Sequence, residues 1–359
     1  MSINPVIAIT MGDPAGIGPE VTAKAVSQKA VWDCCRPLVV GDAGVLAKAA
    51  ALVGDALAPR IAGALAPRIA GALAPRIAGA LAFRSISRAS EARFDPSMPD
   101  VLDLGNVDLA LLRPGRVSAA AGRASVDYVE RAVELAQAGQ AEAIATGPIN
   151  KAALKAAGIP YIGHTELLAA LLGEERVTTM LTTDGLRVVH VTRHVSLAEV
   201  AALITRERVL ETIRLTHIGM RQMGIPRPRL AVAGLNPHGG DDGLMGREEI
   251  DAIGPAVEAA RAQGIEAVGP IPADSVFFRA IRGEFDAVVA MYHDQGHIPI
   301  KTHGFERSIT VTLGLPIVRT SVDHGTAFDI AWKGLASEES MVEAIRLAAQ
   351  LVAGGESAS

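Results

Sequence analysis

Aromatic residues are scarce in this 359-residue chain: Trp, Tyr and Phe together make 3% of it, against 36 glycines. Small apolar residues carry the hydrophobic content, which suits a soluble α/β protein whose helices pack closely on a sheet. Cysteine is almost missing. The two present, Cys34 and Cys35, are neighbours and cannot staple distant segments, so a disulfide framework is excluded and nothing points to an oxidising compartment. Two small residues near a helix end fit them better than a redox pair. Positive charge is not in excess either. Lys and Arg number 34 against 39 Asp and Glu, for a net charge of −5, so no global basic field marks a nucleic-acid partner. No run is long and apolar enough to span a bilayer. Met1 to Pro5 carries neither a basic n-region nor an apolar h-region, so no signal peptide is expected, and the expected location is cytoplasmic.

What is there is strand and helix in alternation, in a length that suggests two domains. Val6–Thr10 reads as a strand feeding the turn Met11-Gly12-Asp13-Pro14-Ala15-Gly16-Ile17-Gly18-Pro19-Glu20 and a helix beyond. Such a glycine-rich turn can offer N–H groups to an anion, but it is not G-x-G-x-x-G, and Asp13 disfavours a phosphate cradle. Further strands are read at Pro37–Val40, Ala141–Thr146, Arg187–His194, Arg229–Leu235 and Phe285–Met291, with a helix at Ser125–Ala138. The pattern predicts a mainly parallel or mixed sheet. From Ala56 the octapeptide A-L-A-P-R-I-A-G recurs, with Pro59, Pro67 and Pro75 in phase. Proline at that spacing argues against one straight helix, and the stretch reads as a tandem expansion inserted at the surface.

Polar residues crowd the strand ends. His194, His238 and His293 each follow a predicted strand, and a parallel sheet would bring those ends to one rim. Three imidazoles with open positions make the ligand set of a catalytic divalent site, with Asp274 and Asp294 as further ligands or as their supports. The alternative is three unrelated rim histidines, since the spacing matches no compact zinc motif. Arg187–His194 as a strand would set His190, Thr192 and His194 on one face, with Ser196 capping the next helix. Gly296 reads as a backbone turn after His293. Thr165 reads as a helix N-cap beside His164. Lys151, Lys301 and Arg319 suit an anionic substrate. The loop Thr320–Gly334, opening a small-residue helix, suits the adenosine half of a dinucleotide, with Asp329 able to accept ribose hydroxyls.

Taken together, Gly12–Glu20, T-G-P-I-N-K at Thr146–Lys151, G-H-T-E at Gly163–Glu166, N-P-H-G-G at Asn236–Gly240, Y-H-D-Q-G at Tyr292–Gly296 and T-S-V-D-H-G-T-A at Thr320–Ala327 closely resemble the 4-hydroxythreonine-4-phosphate dehydrogenase (PdxA) family. The likeness covers the whole chain except the repeat. The loop from His324 to Gly334 also looks like the cofactor loop of isopropylmalate and isocitrate dehydrogenases. The resemblance implies a two-domain α/β/α fold with an interdomain cleft. The expected boundaries are 1–145 with 305–359, carrying the 56–82 insertion, and 146–304, carrying the histidines. It further implies a homodimer with the site where the subunits meet. His194, His238 and His293 would hold one Zn, Mg, Mn or Co ion. His164, Thr165, Lys301, Thr310 and Arg319 would bind a small anionic substrate. His324, Gly325, Thr326 and Asp329 would bind NAD or NADP. The family has Asn where Thr310 stands, and that departure opens the side branches acting on 4-phospho-threonate, 4-phospho-erythronate or aromatic cis-dihydrodiol carboxylates.

The expected reaction is oxidation of a secondary alcohol β to a carboxylate, with hydride passing to NAD(P)+ and loss of carbon dioxide. Lys301, Asp274, Asp294 or a water relay would carry the proton. A metal-dependent hydrolase or a non-catalytic metabolite-binding protein is the competing expectation; the loop His324–Gly334 argues against the first and the three histidines against the second.

Overall fold

The computed structural model describes residues 4–64 and 81–356. It divides into two compact units, Met1–Gly173 with Ile317–Val352, and Glu174–Pro316 with the residues from Ala353 onward. Both boundaries fall later than residues 146 and 305, where the sequence placed them. The helices after the fifth strand explain the first shift, because they pack back on the first unit.

In the first unit, strands β1 (Val6–Thr10), β2 (Arg36–Gly41), β3 (Arg84–Ile86), β4 (Asp100–Asp103), β5 (Ala143–Thr146) and β12 (Val318–Val322) lie in the order β3-β4-β2-β1-β5-β12, every pair parallel. β1 is buried along its whole length, as a parallel strand covered on both faces must be. Its helices are α1 (Gly18–Ser27), α2 (Lys29–Cys34), α3 (Ala43–Ala64), α4 (Ala119–Gln137), α5 (Lys151–Ala156), α6 (His164–Leu172) and, at the end of the chain, α12 (Glu339–Glu356). α4 starts earlier than the sequence suggested because the Ser118 side chain accepts from the Ala121 N–H and caps it. α2 carries Cys34, and Cys35 directly follows it, as expected of two small residues at a helix end. α3 runs on through Pro59, so the first repeat unit does not break the helix there; residues 65–80 of the repeat lie outside those described.

The second unit holds β6 (Thr178–Thr183), β7 (Leu186–His190), β8 (Leu230–Ala233), β9 (Ala267–Ile271), β10 (Ala287–Ala290) and β11 (Ile309–Leu313), in the order β11-β6-β7-β10-β8-β9. β6 runs antiparallel to both its neighbours, β11 and β7, and β7, β10, β8 and β9 run parallel. The pairing of β11 with β6 draws residues 309–313 into this unit and explains the second boundary. Helices α7 (Leu197–Leu203), α8 (Arg206–Gln222), α9 (Gly254–Ala262), α10 (Ala273–Ile281) and α11 (His293–Gly304) cover the sheet. Leu181, Val188, Ala231, Val276, Phe277, Val288 and Ile300 meet in its core. No described helix is long and apolar enough to cross a membrane.

Candidate active site

The central parallel strands of the second unit deliver the histidines. β7 ends at His190, which registers with Ala290 of β10. The expected strand through His194 therefore stops four residues early. His190 is buried, at 2% exposure, and His194 stands exposed in the loop before α7. Ser196 starts α7 as expected, its N–H and hydroxyl both donating to Glu199. After β10, Tyr292 caps α11 and His293 is the first helical residue. Gly296 sits inside that helix. A Cβ there would lie 2.2 Å from His190 Nε2, so its use is close approach and not a turn.

The ring centroids of His194 and His293 are 5.8 Å apart. Two imidazoles on one ion, with metal–nitrogen bonds of about 2.0–2.1 Å, hold their ring centres roughly 5 Å apart at a tetrahedral angle, close to the separation of this pair. Asp294 Oδ1 lies 2.6 Å from His293 Nδ1. A carboxylate on Nδ1 fixes the proton there and leaves Nε2 to ligate, the usual support of a metal-bound histidine. These two residues fit a divalent ion. His238 is exposed, in a loop whose backbone is left-handed from His238 (φ 54°) through Asp242 (φ 53°). Among the described residues, no group of three His, Cys, Asp or Glu side chains gathers closely enough to hold a metal within one chain. Asp274 is exposed in the first turn of α10, where a carboxylate favours the helix dipole.

Two residues that the sequence did not single out hold this arrangement together. Glu249 is buried, and its Oε1 accepts from the N–H groups of Leu235 and Asn236 at 2.7 Å each, while Oε2 accepts from Asn236 Nδ2 at 2.9 Å. Burial would raise its carboxyl, but the bonds from Asn236 and Leu235 outweigh that and hold it below the ordinary value. It pins the strained loop bearing His238. Gln295 donates to Gly234 O at 2.7 Å and accepts from Met291 N at 2.6 Å, stitching the start of α11 to the end of β8. Nothing in local composition marks Glu249. Gln295 lies in the Y-H-D-Q-G motif and was legible only as polar.

Lys301 lies on α11, its Nζ 3.3 Å from Ser308 Oγ and 4.9 Å from the Phe305 ring centre. Thr310 is half-buried on β11, opposite Leu181.

In the first unit, Arg319 on β12 is 2% exposed and donates to Thr146 Oγ1 from Nη2 at 2.6 Å and Nε at 3.2 Å. Burial draws its guanidinium down to about 9, with Glu166 pulling the other way, so it is a cation at neutral pH. His164 opens α6 after Gly163, so Gly163 and not Thr165 is the cap. Burial first, and the Arg319 charge second, push the His164 imidazole well below its ordinary value and keep it neutral. Its Nε2 is buried with no partner. An orphaned polar atom costs about 1–3 kcal/mol, and a neutral donor beside a buried cation suits an anion.

The loop after β12 is packed on the turn after β1. Thr326 O accepts from Ile17 N at 3.0 Å, and its hydroxyl from Asn150 Nδ2 at the same distance. A Cβ on Gly16 would meet Thr326 Cβ at 2.8 Å. Trp332 Nε1 donates to Pro14 O, and Lys24 to the carbonyls of Gly334 and Ala336. No helix follows directly, contrary to expectation: residues 328–334 form turns and α12 begins at Glu339, because Ala327 and Trp332 take positive φ. His324 Nδ1 lies 3.0 Å from Gly325 O, and Gly325 and Asp329 are exposed.

The family model "Pyridoxal phosphate biosynthetic protein PdxA" matches residues 33–348. The chain belongs to the PdxA family. A curated relative from Symbiobacterium thermophilum, named "Putative D-threonate 4-phosphate dehydrogenase", is 47% identical over 353 residues, 98% of either chain. A 4-hydroxythreonine-4-phosphate dehydrogenase structure from Klebsiella pneumoniae is 44% identical, with a TM-score of 0.83 over 97% of this chain and 100% of that one. A terephthalate 1,2-cis-dihydrodiol dehydrogenase from Burkholderia xenovorans LB400 is more distant, at 32% identity and a TM-score of 0.62 over 97% and 98%. As a PdxA-family protein, the chain is an oxidoreductase of the decarboxylating dehydrogenase kind. The hydrolase and binding-protein expectations fall away, and the dihydrodiol branch is not favoured.

Proposed function

We propose that this chain oxidises and decarboxylates D-threonate 4-phosphate, or a close 4-phosphorylated hydroxy acid, with NAD+ and one divalent ion, as a homodimer. The observation that carries the reading is the His194–His293 ring pair at 5.8 Å with Asp294 on Nδ1. His194, His238 and His293 hold the ion in this reading. Exposed Leu197, Leu244 and Ile298 lie close in sequence to the three histidines, as expected of surface that a second copy covers. In this reading, pairing of two copies completes the ligand set that the described residues of one chain do not gather.

The substrate is placed by residue. Arg319, with its buried charge, and His164, with its orphaned Nε2, take acidic oxygens; Thr165, Lys301 and Thr310 complete the contacts. Thr310 in place of the family's Asn opens the branch acting on other substrates, and the name of the Symbiobacterium relative favours threonate 4-phosphate among them. His324, Gly325, Thr326 and Asp329 take the dinucleotide. Thr326 acts as a packed floor, and the Asp329 carboxylate favours NAD over NADP by repelling a 2′-phosphate.

The ion, when bound, supplies Lewis acidity that lowers the alcohol's pKa. Lys301, Asp274 or Asp294 receives the hydroxyl proton, directly or through water. Asp294, already engaged with His293, suits an orienting role better than that of base. With NAD+ bound, hydride from the alcohol carbon would pass to it and the substrate would become a β-keto acid. The bond to the carboxylate carbon then breaks, carbon dioxide leaves, and its electron pair forms an enol that takes up a proton. From D-threonate 4-phosphate the product is a three-carbon hydroxyketone phosphate.

The test is to follow reduced nicotinamide with NAD+, Co2+ and D-threonate 4-phosphate, 4-hydroxythreonine 4-phosphate or a cis-dihydrodiol carboxylate. Turnover of the first, abolished by EDTA, is expected. Turnover of the dihydrodiol alone would overturn the substrate assignment.

A further inference from the structure

Behind the His194–His293 pair lie two more imidazoles, and the reaction uses neither. His297 follows His293 by one helical turn of α11, and its ring is stacked on the His293 ring with centroids 3.6 Å apart and planes 12° apart. His297 Nδ1 lies 3.0 Å from His293 O. The carbonyl can only accept, so Nδ1 carries the proton. His190 sits 4.7 Å from His297 and 6.3 Å from His293, between centroids. It is buried at the end of β7, and neither of its nitrogens has a well-formed partner. Gly296 permits this contact, as any Cβ there would collide with the His190 ring.

We propose that His297, backed by His190, is the positioning residue for His293. Asp294 fixes the His293 ring in its own plane by holding Nδ1. It leaves the ring free to tilt about that bond. The stacked His297 face removes the tilt, and His297 is in turn seated by the His190 ring and by the carbonyl of His293. The residues form a support two rings deep, built from β7 and α11.

The proposal rests on His293 being a metal ligand. The experiment titrates apo protein with Co2+ and reads the visible d–d bands, comparing wild type with His293→Ala, His297→Ala and His297→Phe. Metal supports of this kind change affinity about 10–100-fold. His297→Ala is expected to weaken Co2+ binding by about tenfold and shift the bands, with apo melting unchanged. His297→Phe keeps a flat ring and is expected to stay within about threefold of wild type, which also guards against a simple folding failure. Wild-type affinity and bands in His297→Ala, with binding lost in His293→Ala, would overturn the positioning role alone. Equal losses in His297→Ala and His297→Phe would overturn stacking as its cause. Wild-type binding in His293→Ala would remove the ligand reading, and the positioning role with it.

Discussion

The two units end their strands in opposite ways. In the first, backbone packs on backbone: Gly12 and Gly147 lie against main-chain atoms of Pro148 and Thr10, and Thr326 is locked to Ile17 and Asn150. In the second, strand ends carry exposed imidazoles, a left-handed loop held by one buried Glu249, and apolar residues open to solvent. The first unit is a finished platform. Among the described residues of the second, no three His, Cys, Asp or Glu side chains gather to hold a metal, and the proposal that a second copy completes the site starts from that difference.

The sharpest way to break that contrast is complementation. His238→Ala and His293→Ala are each expected to lose at least about a hundredfold in turnover, more than the loss of a mere ligand support, while melting near wild type. If one site draws on both chains, unfolding and refolding the two variants together restores activity, because mixed dimers contain one intact site. A mixture as inactive as either variant alone would place all ligands on one chain. Gly16→Ala is expected to do the reverse. Overpacking against Thr326 should cost about 1–3 kcal/mol and weaken NAD+ binding, leaving Co2+ affinity unchanged, as thermal unfolding and titration would read. The last test concerns Asp13. Burial pushes its carboxyl from 3.8 up to about 6. The folded chain holds that proton more tightly than the unfolded one, so its contribution is full below about pH 4 and is lost as pH rises through about 6. The loss is about 3 kcal/mol. Asp13→Asn should flatten the fall in melting temperature across that window; an unchanged slope would contradict the burial argument.

Much of this was legible in residues. Apolar runs such as Val6–Thr10 and Ala287–Ala290 read as buried parallel strands, as they are, and the candidate site residues were sought in the polar stretches that follow such runs. The ends of elements were less legible, since hydrogen bonding decides them: β7 stops at His190 and Ser118 starts α4 early. Supports acting across long sequence gaps were not legible. Thr146 beneath Arg319 and Glu249 beneath Asn236 have no local pattern, because folding alone makes them neighbours. The meaning of Gly296 was also hidden, as its constraint is the His190 ring on another strand.

The most direct measurement is X-ray absorption at the cobalt edge of Co2+-loaded protein, free and in the His293→Ala form. Three imidazole nitrogens at about 2.0–2.1 Å are expected, with one fewer in the variant. A shell of oxygen atoms alone, the same in both proteins, would contradict a histidine-held ion and the oxidative decarboxylation built on it.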